Sequence, residues 1–110
     1  MSINLSYSDP INHVVACPNC GGSYLHHALV TTYWRAGEDA DRGLRVDSDS
    51  ESVSTTTAMT GNSSSRRDGL EIQFECEACP AMPRLQLTQH KGNTELQWVT
   101  PIGMKPPVSS

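Results

Sequence analysis

The sequence has few of the residues that build a large hydrophobic core. Its 110 residues include one Phe, two Trp and three Tyr, and hydrophobic residues make up 36% of the chain. Because a domain of this size buries little apolar surface, such a thin core generally needs a bound metal or a disulfide for stability. No apolar run reaches the ~20 residues of a membrane-spanning helix, so we expect no membrane contact.

Helical periodicity, a broad basic surface and the common catalytic motifs are also missing. No segment repeats apolar residues at helical spacing, so we expect an all-β fold. The formal net charge is -4, and residues 37–51 alone hold six acidic and two basic residues. This balance disfavours non-specific nucleic-acid binding. The absence of a phosphate-binding loop and of a nucleophile elbow argues against the corresponding enzyme classes.

Alternation of apolar and polar residues predicts three antiparallel strands in the C-terminal half. They cover residues 70–76, 85–88 and 95–98. The sequence His90-Lys91-Gly92-Asn93 lies between the last two and predicts a tight hairpin turn.

The N-terminal half predicts a similar but less regular plan. Residues 13–16 form a short β-prone lead into a cysteine pair, and the β-branched and aromatic residues of 24–34 predict a long strand. An insertion, 37–67, then follows. Alternation over 53–59 predicts an edge strand within it, with loops at 37–50 and 61–67. The alternative is an insertion that is disordered throughout.

All four cysteines lie in two short motifs, Cys17-Pro18-Asn19-Cys20 and Cys76-Glu77-Ala78-Cys79. Two CxxC pairs with no spare thiol indicate one four-coordinate metal site, because zinc binds four thiolates tetrahedrally. Iron held by the same sulfurs is the less favoured alternative. Two disulfides would require an oxidising compartment. No secretory signal pattern precedes the first motif, so we expect a cytoplasmic protein with a metal site.

Residues 14–99 resemble the zinc-ribbon family, in which two CxxC knuckles at the tips of β-hairpins hold one zinc ion. The segment Cys17-Pro18-Asn19-Cys20-Gly21 also has the knuckle form of rubredoxin-like iron proteins. In appearance the chain is most similar to small uncharacterised zinc-ribbon proteins of bacteria and their phages. The resemblance implies a small antiparallel ribbon of two CxxC-bearing hairpins with one structural zinc ion. It does not select a function, since zinc ribbons serve in transcription, translation and protein assembly.

A few basic residues form a candidate nucleic-acid site. They are Arg66, Arg67, Arg84 and Lys91, with Arg35 as a further candidate. Such a patch would need strand pairing to bring these residues together beside an exposed aromatic side chain. Dispersed, solvated charges are the simpler interpretation.

Two other patterns have structural explanations. His26 and His27 are adjacent, so in a strand they point to opposite faces and do not readily chelate one ion. One of them is expected beside the core, or as a donor to a cysteine sulfur. Glu71, Gln73 and Glu75 have the spacing of the polar face of a half-exposed strand. We therefore expect no enzymatic activity.

Together these features predict a zinc-binding, non-enzymatic interaction module. We expect a protein partner, because the acidic insertion would repel phosphate and complement a basic protein surface. The alternatives are nucleic-acid binding and rubredoxin-like electron transfer at iron. An edge strand at 53–59 would also permit a homodimer. The expected organisation is a flexible N-terminus (1–10), a zinc-ribbon domain (11–100) that contains the insertion, and a flexible tail (101–110).

Overall fold

The computed structural model describes residues 14–37, 40–64 and 67–105. The prediction of an all-β fold is confirmed, and no helix that could cross a membrane occurs in these three ranges. The strands are β1 (Leu25–Arg35), β2 (Arg42–Ser48), β3 (Val53–Ala58), β4 (Gly69–Cys76), β5 (Ala81–Met82), β6 (Arg84–His90), β7 (Asn93–Trp98) and β8 (Gly103–Met104).

Six strands form one antiparallel sheet in the order β3-β2-β1-β4-β6-β7, and β5 pairs with β8 in a second, two-stranded sheet. The first three strands follow one another across the sheet, whereas β4 returns to lie on the free side of β1. This is the spatial order of a Greek key. The connection from β3 to β4 must therefore pass the ends of β2 and β1.

The strands predicted from alternation are confirmed. Residues 70–76, 85–88 and 95–98 lie in β4, β6 and β7, and residues 25–34 of the predicted long strand lie in β1. The hairpin turn between β6 and β7 consists of Lys91 and Gly92, with φ of 49° and 82°. Positive φ at both central residues is the geometry that matches the twist of a two-residue hairpin.

The prediction of a loop over 37–50 is wrong, because residues 42–48 form β2. The charged residues that suggested a loop are satisfied across the sheet. The Thr31 hydroxyl donates to Asp47 at 2.6 Å, and Arg45 donates to the same carboxylate at 2.9 Å. Burial alone would raise the pKa of Asp47, but these two hydrogen bonds outweigh it and hold that pKa below its usual value. The predicted edge strand is confirmed as β3.

Two segments near the ends of the described range differ from the predicted elements. Residues 14–16 are not in a strand, although 13–16 was predicted as a β-prone lead. Beyond the predicted boundary at 100, Gly103–Met104 pairs with Ala81–Met82, and the Lys105 N–H donates to the Pro80 carbonyl at 2.7 Å. The predicted N-terminal segment 1–10 and residues 106–110 of the predicted tail lie outside the described residues.

One face of the large sheet is apolar. The pairing registers and the two-residue period of a strand place its members on the same side. This apolar face comprises Val30, Thr32, Trp34, Leu44, Val46, Val53, Leu70, Ile72, Phe74, Leu85, Leu87, Leu96 and Trp98. Burial along it is uneven. Leu85 and Trp98 are 6% and 5% exposed, whereas Trp34, Leu44 and Val53 are 54%, 45% and 65% exposed.

Arg35 attaches the β3–β4 connection to the sheet. Its guanidinium donates to the carbonyls of Arg67, Ser64 and Ala40, and its backbone N–H donates to Asp68 at 2.7 Å. The Ala40 carbonyl belongs to the β1–β2 loop, and the Ser64 and Arg67 carbonyls belong to the β3–β4 connection. One side chain therefore fixes the path of the Greek-key connection, and its role is structural.

Candidate metal centre

The first CxxC motif forms a closed turn immediately before β1. The Gly21 N–H donates to the Cys17 carbonyl, and the Cys17 N–H donates to the Gly22 carbonyl, both at 2.8 Å. Gly21 has a φ of 79°, a conformation that residues with a Cβ rarely adopt. The glycine after the second cysteine thus allows the chain to turn back, so that both sulfurs point to the same side.

The second motif begins on the last residue of β4. Cys76 pairs with Leu25 at the start of β1, and the Glu77 N–H donates to the Tyr24 carbonyl at 3.0 Å. The β1–β4 ladder therefore brings two motifs that are far apart in sequence to the same end of the sheet. Cys79 follows in the short segment before β5.

The four sulfurs form a compact cluster. The Sγ atoms of Cys17 and Cys79 are 3.8 Å apart, and those of Cys20 and Cys76 are 3.6 Å apart. All four lie within 4.8 Å of one another. A tetrahedral ion with metal–sulfur bonds of about 2.3 Å holds its ligands about 3.8 Å apart. Cys17, Cys20, Cys76 and Cys79 are thus positioned to bind one metal ion.

The cluster has a buried side and an exposed side. Cys17 and Cys76 are each 2% exposed and pack with Ala81, which is fully buried, while Cys20 is exposed. Leu25 and Ile102 complete the apolar contacts of this small core. An ion bound here would join the start of β1, the end of β4 and the β5–β8 sheet. Its chemistry would be structural, because four sulfur ligands fill a tetrahedral coordination sphere.

Two of the cluster's sulfurs accept hydrogen bonds, which favour a negatively charged thiolate. The Asn19 side-chain amide donates to Cys79 and the Gly22 N–H donates to Cys20, both at 3.4 Å. The Asn19 amide, followed by the Ala81 N–H, lowers the pKa of the Cys79 thiol to about 6. The Gly22 N–H also lowers the pKa of the Cys20 thiol. The neighbouring cysteine sulfurs outweigh this hydrogen bond, however, and raise the pKa of Cys20 to about 12. Without an ion, therefore, the four sulfurs do not all ionise at neutral pH.

Asn19 was missed as a contributor to the site, although it lies inside the first motif. Its position between two cysteines was the available signal, because polar groups in a CxxC turn commonly donate to the sulfurs. The expectation that one of the adjacent histidines lies beside the core is wrong, because His26 and His27 are both exposed. His26 lies 2.8 Å from Glu77, within the second motif, and makes this contact rather than one with a sulfur.

The structure brings two of the candidate basic residues together: Arg35 and Arg67 line one groove beside Trp34. Arg84 and Lys91 lie apart from each other. Arg84 begins β6 and lies 3.6 Å from Glu71 in an ion pair, whereas Lys91 follows the last residue of β6. A seven-residue strand separates these two positions by roughly 20 Å. Arg67 lies in the β3–β4 connection, where its carbonyl accepts hydrogen bonds from Arg35 and Asn62. Arg66 lies outside the described residues.

Comparison with known proteins assigns no family to the chain. No protein-family model matches it, and neither a curated protein nor a solved structure is similar to it. The likeness to zinc ribbons accordingly rests on the four clustered cysteines at the end of an antiparallel sheet.

Proposed function

We propose that the protein is a zinc-stabilised, non-enzymatic interaction module that binds another protein through the open part of its apolar face. One observation carries the proposal: Trp34 and Leu44, two large apolar side chains that pair across neighbouring strands, are about half exposed on the same face. Exposed apolar surface of this kind is typical of binding sites when it is contiguous.

Zinc is the proposed ion because the donor set consists entirely of cysteine sulfur. Four thiolates in a tetrahedron are the usual ligands of structural zinc sites, and such sites contribute directly to folding. A filled coordination sphere has no position for substrate or for an activated water molecule. The proposed role of the metal is therefore to hold the sheet that presents the interaction surface.

The open part of the apolar face has the form of a protein-binding site. Trp34 pairs directly with Leu44 across β1 and β2. Beside Trp34, a groove of about 720 Å³ is lined mainly by apolar surface, including Leu70 and Leu87, and its polar part is formed by Arg35, Arg67 and Asp68. An exposed tryptophan next to an apolar groove is the arrangement found at the energetic centre of many protein interfaces.

Charge favours a protein over a nucleic acid as the partner. The chain has a formal net charge of -4. Two of its acidic residues, Asp49 and Glu51, lie at the β2–β3 turn, beside the exposed Val53. Arg84 and Lys91 are at opposite ends of β6, so they do not supply a continuous track for a phosphate backbone. A partner with an apolar centre and a basic rim would complement this surface.

Site-specific photo-crosslinking in living cells tests the proposal. A benzophenone amino acid at position 34 is expected to give a covalent adduct with a protein of defined mass. The same residue at Tyr24, which is 66% exposed but lies outside the apolar face, is the matched control and is expected to give none. Adding Leu44→Asp to the position-34 variant should abolish the adduct, because it places a charge in the interface.

Three results would contradict the proposed partner. They are equal adducts from positions 24 and 34, an adduct at position 34 that survives Leu44→Asp, and crosslinking of position 34 chiefly to nucleic acid.

A further inference from the structure

The outer edge of β3 lacks the charges and prolines that usually keep a sheet edge from pairing with another strand. Its six residues, Val53-Ser54-Thr55-Thr56-Thr57-Ala58, are all exposed and include neither a charged residue nor a proline. The β2–β3 pairing does contain a bulge, but the extra residue is on β2, and residues 53–56 of β3 pair in an unbroken register. Natural proteins generally protect such edges with charges, prolines or bulges. An unprotected strand rich in β-branched residues is a template for strand addition.

The backbone groups available for pairing follow from the β2–β3 ladder. The Asp49 N–H donates to the Ser52 carbonyl, so this pair is hydrogen-bonded. In an antiparallel ladder, hydrogen-bonded and non-hydrogen-bonded pairs alternate. Ser54 therefore bonds to β2, while the N–H and carbonyl groups of Val53, Thr55 and Thr57 point away from the sheet.

We infer that β3 pairs antiparallel with β3 of a second copy of this chain, about a two-fold axis that passes through Thr55. Only residues whose backbone groups point outward can face one another as hydrogen-bonded pairs. With Thr55 on the axis, Val53 of each copy faces Thr57 of the other. All three outward-pointing residues are then used, which gives about six hydrogen bonds between the copies.

Side-chain chemistry and charge favour a second copy as the occupant of this edge. The facing pairs, Val53 with Thr57 and Thr55 with Thr55, join β-branched side chains, which pack well across antiparallel strands. No like charges face each other, because β3 carries none.

The antiparallel pairing also keeps the acidic β2–β3 turns of the two copies apart. The register places Asp49 and Glu51 of one copy beside residues 59–61 of the other, near the Arg45 guanidinium that donates to the Thr60 carbonyl at 3.0 Å. A parallel arrangement would instead bring the two acidic turns side by side.

Dimerisation is a property separate from the proposed function and does not depend on it. Trp34 and Leu44 lie on β1 and β2, whereas the dimer uses the outward-pointing backbone groups of β3, so the two interactions use different parts of the molecule. Facing residues of an antiparallel pair have side chains on the same side of the sheet. The two apolar faces would therefore form one surface on a continuous twelve-stranded sheet, a two-fold arrangement that could bind two copies of a partner.

Disulfide trapping tests the register with single-residue resolution. The variant Thr55→Cys, in the metal-loaded 110-residue chain under mild oxidation, is expected to give a covalent dimer of twice the 12.0 kDa chain mass. The Cα atoms of a hydrogen-bonded antiparallel pair lie about 5.5 Å apart, which a disulfide can span. The matched control is Ser54→Cys. In this register the two copies of residue 54 are offset along the strands by two residues and lie about 8 Å apart, which is too far for a disulfide.

Sedimentation over a concentration series tests the interaction without a crosslink. Wild-type protein should shift from monomer to dimer as its concentration rises. Thr55→Lys should remain monomeric, because two ammonium groups would face each other across the axis. Thr94→Lys, the same change on the opposite edge strand β7, should dimerise like wild type. Metal content and circular dichroism establish that both variants are folded. Monomeric wild-type protein at millimolar concentration, dimers that persist in Thr55→Lys, or equal trapping at positions 54 and 55 would overturn the inference.

Discussion

Replacing Cys17 with serine is expected to abolish metal binding and to unfold the end of the sheet where β1, β4 and the β5–β8 pair meet. Cys17 is 2% exposed and lies in the same small core as Cys76 and Ala81. Binding of zinc to four-ligand sites in small peptides provides about 10–16 kcal/mol. That amount equals or exceeds the whole stability of a typical domain, about 5–15 kcal/mol. A chain with so few large apolar residues has little other core to compensate.

The measurement is thermal unfolding followed by circular dichroism, together with the metal content of each purified variant. Asn19→Ala is the matched control, because it removes a hydrogen bond to Cys79 and leaves all four ligands in place. We expect it to keep one ion per chain and to lose only about 1 kcal/mol. An unfolding transition of Cys17→Ser that coincides with wild type would show that the fold does not need the metal.

Replacing Arg35 with methionine is expected to destabilise the protein by about 3 kcal/mol with no change in metal content. The substitution leaves the carbonyls of Ala40, Ser64 and Arg67 without the guanidinium donors that they share. Hydrogen bonds to a charged group contribute about 1.5–3 kcal/mol each, but solvent can reach some of these carbonyls after the change and reduces the total. The Greek-key connection should become the least stable part of the molecule.

Urea denaturation of the metal-loaded variants measures this effect. Arg42→Met is the matched control, because Arg42 is an exposed arginine at the start of β2. It should change the free energy of unfolding by less than about 0.5 kcal/mol. Hydrogen exchange should report faster exchange of amides at residues 60–64 and 67–69 in Arg35→Met alone. Equal denaturation midpoints for the two variants would contradict the role assigned to Arg35.

The parts of the fold that could be predicted from the sequence are those with a local signal. The alternation over residues 70–76 and 95–98 indicated β4 and β7, and the Lys91-Gly92 turn indicated the hairpin. Each of these patterns arises from contacts within a strand or between neighbours in the sequence. The two cysteine motifs were equally local, since each pair of sulfurs is set by its own turn.

Other parts depended on distant partners and were missed for that reason. The β2 strand had the composition of a loop, because the charges of Arg45 and Asp47 become compatible with a strand only when Thr31 of β1 lies opposite. The β8 strand is two residues long and exists through its pairing with β5. The sequence alone indicates a surface charge at Arg35. Its structural role depends on carbonyls that only the Greek-key strand order brings together around its guanidinium.

The uneven burial of the apolar face could not be predicted either. Alternation places Trp34 and Trp98 on one face of the sheet, but it does not tell which of them is covered. Trp98 packs edge-on against Phe74, with ring centroids 6.0 Å apart, whereas Trp34 stays 54% exposed. The four clustered cysteines were therefore predictable from the sequence, whereas the surface proposed for binding became visible only in the three-dimensional structure.

The bound metal is the central feature of the protein, and the identity and coordination of this ion can be measured in one sample. Protein purified under reducing conditions, without added metal, is analysed by native mass spectrometry and by X-ray absorption at the metal edge. We predict one zinc ion per chain with four sulfur neighbours at about 2.3 Å. Iron in the same sulfur environment would contradict the assignment of zinc. A metal-free folded protein, or an ion with nitrogen or oxygen ligands, would contradict the structural site formed by Cys17, Cys20, Cys76 and Cys79.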